Sequence, residues 1–269
     1  MMEWWLIYLL LGAIVGFLAG LLGIWGGLVI VPVLVFIFTA QAFPVDRILH
    51  LALGTTMATI IFTSLASLRM HHAHGAVNWW IVKYLSPGIV IGTLVGSTFA
   101  SGLSSKILGF IVVIFIFYAA TQMWLKISPK SKYTLPEKGG LVVVGIIIGL
   151  VSSLVAIGGG LLTVPFLTMC NVKMQQAIGT AAAVGFPIAI AGTLGYIFNG
   201  ILQTQPLPNY SLGYVYLPAL AWIAVASTFT APLGARTTHT IQTTTLRKIF
   251  IVLLYCLAIK LLFDLLTSL

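Results

Sequence analysis

Apolar residues fill most of the chain in long runs, and the interruptions carry the pattern. Residues 4 to 40 form an apolar tract too long for one straight membrane span of about 20 residues, and the knot Gly23-Ile24-Trp25-Gly26-Gly27 divides it. The tract is either one kinked span or a hairpin, with a helix over about 4 to 22 and another from about 26. Further apolar spans follow at about 47 to 69, 78 to 101 and 105 to 125. After a basic linker over 126 to 138, the plan repeats at about 140 to 157, 159 to 170, 174 to 198, 212 to 234 and 246 to 267.

The second series is a copy of the first. Gly26-Gly27-Leu28-Val29-Ile30-Val31-Pro32 is answered by Gly159-Gly160-Leu161-Leu162-Thr163-Val164-Pro165, and Gly12 and Gly16 precede the first as Gly145 and Gly149 precede the second. Ala52-Leu53-Gly54-Thr55-Thr56 is echoed by Ala177-Ile178-Gly179-Thr180-Ala181. A third echo aligns Ser97-Thr98-Phe99-Ala100-Ser101-Gly102-Leu103 with Ser227-Thr228-Phe229-Thr230-Ala231-Pro232-Leu233. The chain reads as one transmembrane domain over 1–269, made of repeat 1 (about 4–125), the linker 126–138 and repeat 2 (about 140–267).

Positive charge chooses between hairpin and kink. If each glycine knot reverses the chain, Arg69, Lys83, Lys126, Lys130, Lys132, Lys138, Lys173, Arg236, Arg247 and Lys248 share one face, and only Arg47 and Lys106 take the other, with Lys260 near the outer end of the last span. If each knot is only a kink, the same cations divide evenly. Cytoplasmic loops carry the excess of Lys and Arg, so the hairpin is favoured. It gives an odd number of segments per half, hence inverted repeats with both termini outside. The expected fold is therefore an all-α polytopic membrane protein with about 8 to 10 membrane segments. The segment 159 to 170 is short for a full crossing and is either a half-helix ending in the bilayer or a steeply placed short one.

Composition agrees. Apolar residues make up 60% and charged residues 6% of the chain, against about 25% charged in a soluble domain. The net charge of +9 is explained by span-flanking cations, so no nucleic-acid partner is expected; the partners are the lipid bilayer and a small anion. Cys170 and Cys256 lie in or at the end of apolar runs and indicate neither disulfide framework nor metal site. The start, Met1-Met2-Glu3-Trp4-Trp5, lacks the basic region of a cleavable signal. No motif of a hydrolase, zinc protease or phosphate loop occurs, so an enzyme is disfavoured and no cofactor is expected.

The knots are the candidate chemistry. Glycines followed by proline inside an apolar run break a helix and leave backbone N–H groups without intrahelical partners. Paired breaks in corresponding positions of two halves point to a transporter's binding site, and a helix N-terminus aimed inward suits an anion. Gly26, Gly27, Gly159 and Gly160 are the expected amide donors, with Thr55, Thr56 and Thr180 completing the shell and Pro32 and Pro165 preserving the bends. Taken singly, such small residues are more often helix-packing contacts; recurrence of two unlike motifs in one order favours function. Trp25 either gates or lines the cavity, or is a packed indole. Ser97 and Ser227 either line the path or are helix contacts. Trp4, Trp5, Trp79, Trp80 and Trp124 stand as interfacial anchors, unlike Trp222.

His71, His72 and His74 sit beside Arg69 on the basic face, where anion gathering, pH sensing and a metal compete with a plain solvated loop. Arg236, His239, Arg247 and Lys248 occupy the matching place in the second half. The four acids, Glu3, Asp46, Glu137 and Asp264, all lie near span ends, so no mid-membrane carboxylate offers a proton relay or sodium site. Any coupling must use a histidine, a titrating substrate or backbone-bound ions.

At these residues the chain resembles the sulfite exporter TauE/SafE family, also called the toluene-sulfonate uptake permease family. The resemblance is carried by Leu22-Gly23-Ile24-Trp25-Gly26-Gly27, by Val155-Ala156-Ile157-Gly158-Gly159-Gly160 with Val164-Pro165, and by the two A-x-G-T motifs. Tyr196 to Gly200, Ser211-Leu212-Gly213-Tyr214-Val215 and Ala231-Pro232-Leu233-Gly234-Ala235 to Phe250 complete it. The resemblance implies a secondary transporter, in the direction of export, for sulfur-containing anions such as sulfite or organosulfonates, in the cytoplasmic (inner) membrane. Trp25 replaces a glycine of the family's L-G-x-G-G-G pattern, which bears on substrate size; Asn78 stands where an acidic residue is common. Arg247 and Lys248 would gather the anion at the cytoplasmic face. A passive anion channel and a non-transporting scaffold subunit are the rival readings, and oligomeric state, a homo-oligomer included, is left open.

Overall fold

Backbone groups in lipid must find their hydrogen-bond partners within the chain, and the long apolar runs satisfy that by folding as helices. The computed structural model describes residues 4–22, 26–125, 133–237 and 243–267. In these, the helices are α1 (Trp4–Leu22), α2 (Gly26–Ala40), α3 (Ile48–Ala73), α4 (Trp79–Gly102), α5 (Ser105–Trp124), α6 (Lys138–Val155), α7 (Gly160–Met169), α8 (Met174–Ile201), α9 (Leu217–Thr237) and α10 (Thr243–Thr267). Among the described residues, six helical segments are long and apolar enough to cross a membrane; shorter apolar runs occupy α1, α2, α7 and α9. The outer surface is itself apolar: Phe229 is 75% and Ile114 67% exposed. A surface of that kind is solvated by lipid, and the chain is a multi-pass, all-α membrane protein.

One expected span divides. The stretch from 212 begins not as helix but as a two-stranded turn, β1 (Ser211–Leu212) against β2 (Val215–Tyr216), and α9 starts only at Leu217. Gly213, at φ 54°, permits the turn, and Pro218 fits the first turn of the helix that follows, where its missing N–H costs nothing.

Both glycine knots reverse the chain. The Gln41 amide donates to the Tyr8 hydroxyl at 2.7 Å, which ties the end of α2 to the beginning of α1. Likewise Tyr133 N donates to Met169 O at 3.1 Å, tying the approach to α6 to the end of α7. Helices α1 and α2, and likewise α6 and α7, therefore form hairpins. At 1.5 Å per residue, the 10 residues of α7 span about 15 Å, half of a hydrocarbon core of about 30 Å. This segment is a half-helix whose N-terminus lies inside the protein.

The two tips meet. A Cβ on Gly27 would overlap the Ala156 carbonyl, and Ile60, midway along α3, reaches both tips: its side chain lies 3.3 Å from such a Cβ on Gly27 and 3.2 Å from one on Gly158. The α1–α2 hairpin thus enters from the face that carries the chain start, and α6–α7 enters from the basic face of Arg69, Lys83, Lys138, Lys173 and Lys248.

Helix contacts are exchanged between the halves. Gly12 and Gly16 of α1 pack on Ile223 and Ser227 of α9, as Gly145 and Gly149 of α6 pack on Leu85 and Ile89 of α4. Both pairs run parallel, so the glycine ladders let backbones approach closely. The third and fifth helices of the halves meet their own counterparts, antiparallel: Met57 of α3 packs on Gly192 of α8, and Thr121 of α5 bonds Tyr255 of α10 at 2.8 Å.

The same packing corrects the third echo. Ser227 occupies, against Gly16, the place that Ile89 occupies against Gly149, so it is not the counterpart of Ser97. Ser97 lies further along α4, against Gly195 of α8. Serine-rich helix faces resemble each other at several registers, and only packing distinguishes them.

Candidate functional site

Three features converge where the tips meet. Helix α2 starts at Gly26 and α7 at Gly160, and both point away from the contact, so two positive helix ends face one region. Gly159 has φ 78°, a conformation that a side chain strains, and its carbonyl accepts the N–H of Thr163 at 2.8 Å. Within that first turn of α7 the Thr163 hydroxyl is fully buried with no hydrogen-bond partner. It lies 3.6 Å from where a Cβ on Gly159 would be. A buried hydroxyl without a partner costs about 1–3 kcal/mol; here it stands beside the helix end best suited to an anion.

The opposite wall of the tip is closed by a cap. Ala156 is left-handed at φ 51°, and the N–H groups of Ala156 and Ile157 both turn back to Ser152 O, so the carbonyls at the end of α6 are engaged. Tyr196 of α8, fully buried, adds its hydroxyl to Ser153 O at 2.8 Å.

The repeated threonines are placed elsewhere. Thr55 Oγ1 accepts the N–H of Tyr216 at 3.0 Å, and Thr180 Oγ1 accepts the N–H of Asn78 at 3.0 Å. Gly54 makes room for the Tyr214 carbonyl and Gly179 for that of Ala76. Each A-x-G-T motif therefore grips the segment that leads into the fourth helix of the other half, in the same way on both sides. Thr56 bonds its own helix, to Ala52 O at 2.6 Å.

Other expected residues fall as follows. Pro32 and Pro165 lie within α2 and α7, each depriving the carbonyl four residues earlier of its helical donor. Ser97 and Ser227 are fully buried and bond Leu94 O at 2.9 Å and Ala224 O at 3.1 Å, as helix contacts do. Trp25 and the linker lysines Lys126, Lys130 and Lys132 lie outside the described residues, as does His239; Arg247 lies on α10, its side chain outside the description. His72 accepts the Trp79 indole N–H at 3.3 Å.

A cavity of about 560 Å³ opens at the chain-start face, lined by Trp5, Tyr8, Gln41, Phe43, Tyr216 and Trp222 among others. The length of α2 puts about 20 Å between it and the Gly27 tip. Its floor is aromatic: Phe38 stacks on Phe43 at 5.0 Å, and Tyr216 stands edge-on to both. Trp4 and Trp5 are thus cavity walls as well as anchors.

One polar cluster escaped the sequence reading. His50, near the start of α3, is fully buried; its Nε2 is 3.1 Å from Ala100 O, and its ring stacks on Tyr214 at 5.1 Å. Arg47 donates to the Tyr214 hydroxyl at 3.2 Å. Burial pushes that phenol up, against the lowering effect of the Arg47 guanidinium, so Tyr214 stays protonated. A lone histidine in an apolar run, just ahead of a repeated motif, was the available signal.

The sequence comparisons agree with this architecture. A family model described as sulfite exporter TauE/SafE matches residues 8–261. The chain is 41% identical over 258 residues to a probable membrane transporter protein of Haemophilus influenzae, covering 95% of this chain and 97% of that one. Probable membrane transporter proteins of Methanocaldococcus jannaschii (28% identical, 89% of this chain and 88% of that one) and Bacillus subtilis (YunE, 25%, 96% and 97%) are also similar. The matches run through both halves, so the shared unit is the whole bundle. No solved structure matches the chain.

Proposed function

Because the chain belongs to the sulfite exporter TauE/SafE family, we propose that it is a secondary transporter moving sulfur-containing anions, such as sulfite or organosulfonates, outward across the cytoplasmic membrane. The observation that carries this reading is the convergence of two helix N-termini at the Gly27–Ala156 contact, joined there by the unpartnered Thr163 hydroxyl. The Gly159 N–H is taken by Ile157 O at 2.8 Å, so the amides of Gly26, Gly27 and Gly160 hold the anion, Thr163 adds a neutral donor, and no buried cation is required. Thr55, Thr56 and Thr180 act one step back, fixing α3 and α8 beside the site. The halves form inverted repeats, a reading supported by the exchanged helix contacts, and rocking of one half against the other exposes the tips to each face in turn. On the basic face, Arg247 and Lys248 raise the local concentration of the anion.

The test is flux in proteoliposomes of the purified chain, with sulfite, sulfate and methanesulfonate against acetate. Saturable movement of at least one sulfur anion, well above acetate and above protein-free vesicles, is the expected result. Flux that never saturates would turn the reading toward a channel, and none at all would end it.

A further inference from the structure

In a duplicated protein, what both halves share is needed by the fold, and what only one half carries needs another reason. The Gly54–Thr55 and Gly179–Thr180 grips are shared. The cluster beside the first grip is not: where that grip has Arg47 and His50 of repeat 1 beside Tyr214 of repeat 2, the second grip has Val172 and Gln175 of repeat 2 beside Ala76 of repeat 1. Gln175 is exposed, whereas His50 is fully buried. Packing alone therefore does not ask for a histidine here.

The geometry of His50 fixes its resting form. The Ala100 carbonyl can only accept, so Nε2 carries the hydrogen and Nδ1 is left with a bare lone pair, buried and without a partner. The buried Nε of Arg47 is likewise unpartnered. Around His50 stand Arg47 and Asp46 from its own approach, the carbonyls of Ala100 and Leu103 at the end of α4, and Tyr214 from the strand turn; Lys106 follows Ser105 on α5. The side chains of Asp46 and Lys106 are exposed, and Asp46 enters the cluster through its carbonyl, which accepts from Ser105 at 2.7 Å. Among the described residues, no carboxylate is fully buried with the imidazole. A proton added at Nδ1 would place a second positive charge next to Arg47 in a poorly solvated site, and the missing countercharge is an anion.

We propose that Arg47, His50 and Tyr214 form a proton-linked anion station at the chain-start end of the transport path. This rests on the anion-transport reading above. One proton enters at Nδ1 of neutral His50 as one anion arrives, and leaves when the anion moves on; Arg47 Nε–H and the new Nδ1–H are the added donors. Tyr214 connects this station to the tips, since its ring meets Tyr196, whose hydroxyl is bonded to Ser153 O at the end of α6. By linkage, anion occupancy raises the proton affinity of His50, so the anion binds more tightly as pH falls from the anion-bound pKa toward that of the empty site.

The experiment uses methanesulfonate and sulfate, which stay ionised between about pH 5 and 8, where histidines ordinarily titrate. Full-length protein in oriented proteoliposomes is assayed for half-saturation at the chain-start face across that range, with a trapped dye reporting proton movement. The expected result is a half-saturation concentration that falls with pH by up to about tenfold per unit, with protons moving alongside the anion. His50→Gln, which keeps an N–H for Ala100 O but takes no proton, should flatten the slope; His74→Gln on the basic face should retain it. A wild-type slope of zero overturns the station while leaving the transport reading intact, and needs no variant. A slope that survives in His50→Gln overturns it too. Absence of flux for any sulfur anion removes the transport reading and the station together.

Discussion

Thr163 carries a buried hydroxyl without a partner, and its side chain separates stability from function. Thr163→Val keeps the shape and deletes the unpartnered hydroxyl, so the fold loses nothing and gains up to about 1 kcal/mol. The thermal midpoint in detergent should stay level or rise slightly. If the hydroxyl meets the anion, losing a hydrogen bond worth about 1.4 kcal/mol raises half-saturation roughly tenfold; unchanged transport would remove Thr163 from the site. At the two membrane faces, equivalent places have taken opposite chemistry. Trp5 pairs with Trp222 at 5.6 Å on one side, and on the other Lys138 lies over the Tyr84 ring at 5.3 Å. The fold wants a flat ring with a partner at each place, and the side of the membrane decides whether that partner is aromatic or cationic.

Among the elements, the A-x-G-T grips are the joints between halves. Thr55→Val or Thr180→Val would take the acceptor from the half-buried N–H of Tyr216 or Asn78, at about 1 kcal/mol. The two variants should lower the thermal midpoint by similar amounts, and strongly unequal losses would mean that the grips are not equivalent. Gly27→Ala tests the tip contact: its methyl would press on the Ala156 carbonyl and cost about 1–3 kcal/mol, measured as lost thermal stability together with lost transport. An unaffected Gly27→Ala would mean that the tips separate freely. Much of this level was legible in the sequence, because lipid forces backbone interruptions to be few and conspicuous: the hairpins and most helix boundaries follow within a few residues from Gly, Pro and charge, whereas the depth reached by the short α7 was left open. What the threonines do was not legible, since a hydroxyl that binds an anion and one that accepts a backbone N–H look alike until the partner segment is in place. His50 was passed over for a related reason. Its importance comes from Ala100, Arg47 and Tyr214, which the chain brings together only on folding.

For the molecule as a whole, the decisive question is which connections share a face. Hairpins at both knots place the loop after α2 on the same side as the loop between α8 and α9, and the turn between α7 and α8 on the opposite side with the end of α3. Kinks in place of hairpins would bring the loop after α2 and the turn between α7 and α8 to one side. Ala42 and Gln205 are exposed at the first pair of connections, and Ala73 and Lys173 at the second. The free thiols, Cys170 and Cys256, can be replaced by serine to give a silent background for single cysteines at those four positions. With a membrane-impermeant maleimide on intact cells, Ala42→Cys and Gln205→Cys should label directly, whereas Ala73→Cys and Lys173→Cys should label only after permeabilisation, as the basic face requires. Labelling of Ala42→Cys and Lys173→Cys under the same condition would replace the hairpins by kinks. It would also place the two halves in the same orientation, and the convergence of α2 and α7 on a shared anion would fall with them.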